Sequence, residues 1–73
     1  MTSPRYSSFT HRRDAIALRV WERWVSGMNL DHAERARTRK IVKDATDREF
    51  LEGITDNEWL TATLARLNRS NVA

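Results

Sequence analysis

TDREFLEGITDNEWL, residues 46–60, states one pattern twice. Thr46-Asp47-Arg48-Glu49-Phe50-Leu51 recurs nine residues later as Thr55-Asp56-Asn57-Glu58-Trp59-Leu60. Each copy has the form of a capping box. The Thr hydroxyl accepts from the amide three residues on, and the Glu reaches back to the Thr amide. Early Asp and Glu also suit the positive end of a helix dipole. The stretch therefore predicts two helix starts. The first opens a short helix ended by Gly53; the second runs from Asp56 to about Leu67, with Leu60, Leu64 and Leu67 on one face and Trp59 beside them. A nine-residue echo is too short for a solenoid repeat. It reads as two starts feeding one core.

Working outward, the strongest periodic segment lies upstream, from about His11 to Ser26. At about 100° per residue, Ile16, Ala17, Val20, Trp21, Trp24 and Met28 share one broad arc, with Val25 at its edge. Thr10 is the expected N-cap, with Phe9 before it as a hydrophobic staple. Gly27 is the expected residue past the helix end, because it takes positive φ without strain. Arg12, Arg19 and Arg23 form a narrow basic stripe on the opposite side. A second helix is expected from Asp31, with Glu34 completing its cap, to about Asp44. Its apolar arc is thin: Ile41, Val42 and Ala45, helped by Leu30 and Thr38. Arg35, Arg39 and Lys43 recur every four residues as a second basic stripe, flanked by Arg37 and Lys40.

The expected architecture is all-α: a small single-domain bundle of three main helices plus one short helix. Residues 1–9 read as a flexible N-terminal arm, 10–68 as the helical domain and 69–73 as a frayed tail. A chain of 73 residues supplies one domain at most. Only two Gly and one Pro argue against an all-β chain, whose turns demand more of both. The absence of Cys removes disulfides and thiolate metal sites, which suits a reducing cytoplasm. No apolar run is long enough for a membrane span or a signal-peptide core, so a cytoplasmic protein is the expectation.

Charge is segregated along the chain. Residues 1–43 hold ten Lys/Arg against Asp14, Glu22, Asp31 and Glu34, a net of +6. Residues 44–60 hold Arg48 against six carboxylates, a net of −5. Such a dipolar surface steers charged partners, which bears on association rather than on fold.

No catalytic motif accompanies this polarity. His11 and His32 are the two histidines, near different helix starts, whereas zinc requires three or four convergent ligands. Gly-rich phosphate loops and nucleophile contexts for Ser are absent. The chain is expected to be noncatalytic, to hold no metal or cofactor, and to be a monomer. DNA binding satisfies the electrostatic half of its requirement through the two stripes. A reader helix, however, presents its first residues to the major groove, and in Asp47–Leu67 those would be Asp56, Asn57 and Glu58. Protein binding fits better, since Trp and Arg are enriched at interface hot spots. The candidate partner-binding residues are Arg12, Arg19, Arg23, Arg35, Arg39 and Lys43, with Trp21 and Trp59 as apolar anchors. A small basic DNA-binding phage or plasmid repressor is the alternative.

In its size, its lack of Cys and its Arg bias (Arg12, Arg13, Arg19, Arg23, Arg35, Arg37 and Arg39), the chain resembles the small host-takeover proteins of bacteriophages. The nearest in character are regulators that bind host bacterial RNA polymerase in phages infecting Xanthomonas. The resemblance covers the whole chain without a diagnostic motif, so it carries no residue across by position. It implies binding to the large polymerase subunits, inhibition of initiation by interference with the sigma factor, and antitermination.

Overall fold

The computed structural model describes residues 4–71, with side-chain surroundings for residues 9–69. Three helices follow one another: α1 over Pro4–Trp24, α2 over His32–Arg48 and α3 over Asp56–Asn71. Among the described residues there is no strand, in keeping with an all-α chain.

α1 begins at Pro4 rather than at His11, so Thr10 lies inside the helix and caps nothing. Proline is tolerated in a first turn, where its missing N–H has no helical partner to lose. Residues 4–9 of the expected arm therefore continue α1, while residues 1–3 lie outside the described residues. The helix ends at Trp24, and Gly27 takes the positive φ of 84° expected of it. That earlier end removes Met28 from the apolar arc and leaves it exposed.

α2 opens on the capping box expected at Asp31. Its carboxylate accepts from the Glu34 amide at 2.8 Å, and the Glu34 carboxylate accepts from the Asp31 amide at 3.1 Å. The helix then runs past Asp44 to Arg48, which corrects the expectation of a separate short helix at the first hexapeptide. Thr46 is not a cap. It is fully buried, and its hydroxyl donates to the Val42 carbonyl at 2.8 Å, as a threonine does in mid-helix. α3 does begin at the second copy: the Thr55 hydroxyl accepts from the Glu58 amide at 3.2 Å, and Glu58 accepts from the Thr55 amide at 3.0 Å. It extends through Asn71, beyond the expected end near Leu67; residues 72–73 of the expected tail lie outside the described residues.

Arg13 meets Asp47 while Trp21 meets Thr38, so α1 and α2 run antiparallel. The core joins Ile16, Ala17 and Val20 of α1 to Val42 and Ala45 of α2 and to Trp59, Leu60 and Leu67 of α3. Trp59 sits at its centre with no exposed surface, and its indole N–H donates to the Thr46 carbonyl at 2.6 Å. Phe9 stacks on Trp59 with ring centroids 6.0 Å apart, and Phe50 leans on the same ring at 5.1 Å. These three rings tie the first turns of α1 to the α2–α3 connection.

Candidate functional site

The two basic stripes have different fates. Arg12 is consumed within the fold: its guanidinium donates to Asp56 and to the Ile54 carbonyl, and it lies 5.2 Å from the Trp59 ring centroid. Next to it, Arg13 reaches Asp47 at 3.6 Å and Asp14 at 3.2 Å. Arg66 of α3 pairs with Glu49. Three carboxylates of the acidic stretch, Asp47, Glu49 and Asp56, are thereby paired with arginines and Glu58 is held in its cap, while Asp44 and Glu52 make no ion pair among the described residues. The Glu58 carboxyl is drawn below the ordinary carboxylate value, first by the Thr55 amide and second by the Thr55 hydroxyl. The front-to-back dipole legible in the sequence is reduced by these pairs.

Those cations do not form one patch. Arg19 and Arg23 are exposed on α1. Arg19 precedes Trp21 by two residues, about 200° around the helix, so the stripe points away from the Trp21 side. Arg35, Arg37, Arg39, Lys40 and Lys43 are exposed along α2 and make no ion pair among the described residues. Arg39, Lys40 and Lys43 gather on one rim of an open groove of about 420 Å³ between α1 and α2. Leu18 and Trp21 form the facing wall, Ala17 the floor, and Asp14 and Ala36 complete the lining.

Trp21 is held in place. Its indole N–H donates to the Thr38 hydroxyl at 2.8 Å, and Thr38 in turn donates to the Glu34 and Arg35 carbonyls at 2.9 and 3.0 Å. With its polar atom satisfied, the ring presents apolar surface. Arg39 lies 5.6 Å from that ring's centroid, close enough for a cation–π contact that fixes the guanidinium at the rim. Leu18, 43% exposed, lines the same groove as the ring.

Of the residues singled out from sequence, Trp21, Arg39 and Lys43 therefore come together, and Arg35 lies along the same helix. Arg19 and Arg23 face elsewhere. Trp59 leaves no indole surface for a partner, and Arg12 is its internal companion. Sequence reasoning missed Leu18 and Ala36, and placed Lys40 only beside the second stripe. The spacing of Asp14, Leu18 and Trp21 marks a single row on α1, yet only the packing of α2 makes that row a groove wall.

A second groove, of about 360 Å³, lies between α2 and α3 against Trp24, Ile41 and Leu67. The Trp24 indole N–H is buried there without a hydrogen-bond partner among the described residues. Both histidines are exposed, and no group of three metal-binding side chains occurs among the described residues. No helix among them is long and apolar enough to cross a membrane. Comparison with protein-family models, curated proteins and solved structures finds no match to this chain.

Proposed function

We propose that the protein is a noncatalytic transcription regulator that binds bacterial RNA polymerase and interferes with the sigma factor at initiation. The observation that carries the reading is the charge left after internal pairing. Asp56, Asp47 and Glu49 are occupied by Arg12, Arg13 and Arg66, while Arg39, Lys40 and Lys43 remain open beside the apolar surface of Leu18 and Trp21. Cations bordering an accessible aromatic ring are the makings of a protein-binding hot spot, with charge-assisted contacts to carboxylates at its edge. The polymerase as partner, and antitermination as a second outcome, come from the resemblance in size and Arg bias. The mechanism is occlusion: a rigid helical body covers a surface that another factor needs.

A helix-turn-helix reading loses ground at α3. The start of that helix carries Asp56, taken by Arg12, and Glu58, taken by Thr55, so its first turn is acidic and committed. Binding to purified polymerase and sigma-dependent runoff transcription test the proposal directly. The protein is expected to bind polymerase and suppress initiation, and Arg39→Glu with Lys43→Glu to weaken both by about tenfold or more. Tight binding to bare duplex with a steep salt dependence, and none to polymerase, assigns the chain to the DNA-binding repressors instead.

A further inference from the structure

We propose that the α1–α2 groove takes an acidic amphipathic helix of the protein partner, laid along the groove as a fourth helix; this rests on the regulator reading above. α3 contributes no residue to the walls of this groove, so one side of the α1–α2 pair is left without a covering helix. The walls run lengthwise. Asp14, Leu18 and Trp21 succeed one another along α1, and Ala36, Arg39 and Lys43 do so along α2. Each row spans eight residues, about 10 Å or two turns, which matches an elongated occupant lying along both helices.

The two walls differ in chemistry, and the difference selects the occupant. On the α1 side stand Leu18 and the Trp21 ring, whose N–H is already bonded to Thr38. On the α2 side stand Arg39, Lys40 and Lys43. Ala36, with its short side chain, allows an incoming backbone to approach closely. Asp14, the one carboxylate of the lining, is engaged by Arg13 at 3.2 Å. An occupant therefore needs an apolar stripe toward α1 and carboxylates toward α2. Arg39 and Lys43 are one helical turn apart, so Asp or Glu at four-residue spacing on a partner helix falls into register with them. This is the helix-in-groove mode of recognition, with carboxylates added along one edge. A nucleic acid backbone would gain from the α2 rim alone and would leave Leu18 facing phosphate and water.

The test uses the whole chain and a displayed library of helices about 16 residues long, randomised at the exposed positions. Enriched sequences are expected to carry large apolar residues at three- and four-residue spacing, flanked by Asp or Glu. A fluorescein-labelled consensus peptide is expected to bind with a dissociation constant in the micromolar range and to move the Trp21 indole N–H signal in nitrogen-15 NMR spectra while leaving that of Trp59 in place. Arg39→Glu with Lys43→Glu, and separately Leu18→Ser, are expected to weaken the peptide by about tenfold each while the circular dichroism of the chain is unchanged. The inference is overturned by enriched peptides lacking either the apolar stripe or the carboxylates. It is equally overturned by binding that ignores these variants, or by a DNA duplex that displaces the peptide at lower concentration. Polymerase binding, measured in parallel, separates the two proposals. Polymerase captured through Arg39 and Lys43 without any selected helix removes the fourth helix alone. A helix seated in the groove without polymerase binding removes the polymerase reading alone.

Discussion

At Thr46 the hexapeptide begins inside the last turn of α2, which ends at Arg48, and the Thr46 hydroxyl is turned back onto the Val42 carbonyl; at Thr55 nearly the same letters open α3, with the hydroxyl accepting from the Glu58 amide. The residues around each copy explain the contrast. Thr46 follows Lys43, Asp44 and Ala45, none of which interrupts a helix, and extending a helix by one residue is far easier than nucleating a new one. Thr55 follows Gly53, whose φ of 82° turns the chain out of any helix, and Ile54, whose carbonyl is taken by Arg12. A capping box thus works as a start signal only where the preceding chain has already stopped. The Asp residues behave alike in both copies: Asp47 receives Arg13 and Asp56 receives Arg12, so two neighbouring arginines of α1 grip one copy each.

Position-matched substitutions probe this contrast, and the aromatic pair gives the largest difference. Trp59 is wholly buried and hydrogen-bonded to Thr46, so Trp59→Ala is expected to lower unfolding stability by about 3–5 kcal/mol, enough to unfold much of a small domain. Phe50→Ala, on the half-buried ring of the first copy, is expected to lose only about 1–2 kcal/mol. Urea denaturation followed by circular dichroism measures both; equal losses would mean that the two copies share one environment.

The leucines come next. Leu60 is 5% exposed and Leu51 is 67% exposed. Leu60→Ala should cost about 2–4 kcal/mol in thermal or urea unfolding, and Leu51→Ala should stay within about 0.5 kcal/mol. A substantial loss at Leu51 would show that the connection between α2 and α3 covers it.

Smaller again is the effect at the threonines. Thr55→Val removes a working cap and is expected to cost about 1 kcal/mol, with faster amide exchange at Glu58. Thr46→Val keeps the branched shape in the core and removes a hydroxyl whose acceptor is already a helix carbonyl, so its expected cost is about 0.5 kcal/mol. Reversal of that order would make the first copy the true cap.

The least effect is the acid dependence of the second cap. Because the folded state holds the Glu58 carboxyl below its ordinary value, its contribution is complete above that value and is lost as pH falls through the lowered one. The stability difference between the protein and Glu58→Gln is therefore expected to shrink on acidification from neutrality toward about pH 3. A difference independent of pH would mean that the carboxylate has no charged role in the cap.

The same distinction between local signal and context governs the candidate site. Trp21, Arg39 and Lys43 are legible from helical spacing, because the period alone puts Arg39 and Lys43 one turn apart. That Arg19 and Arg23 face away from them, and that Leu18 lines the same groove, depends on which flank of α1 receives α2. Trp59 illustrates the opposite error. A tryptophan at the start of a helix is ordinarily half-exposed, but here Phe9 and Phe50 close over the ring from segments 50 and nine residues away.

By itself, the order of residues determined the all-helical class, the caps at Asp31 and Thr55, the turn at Gly27, and the burial of Ile16, Val20 and Leu60. These follow from backbone sterics, local hydrogen bonds and helical period, which act over a few residues. Tertiary structure alone decided that Trp59 is sealed within the core, that Arg12 and Arg13 pair with Asp56 and Asp47, and that the groove between α1 and α2 stays open. Those outcomes require surfaces distant in the chain to compete for the same partner, and such competition is settled only when the helices pack.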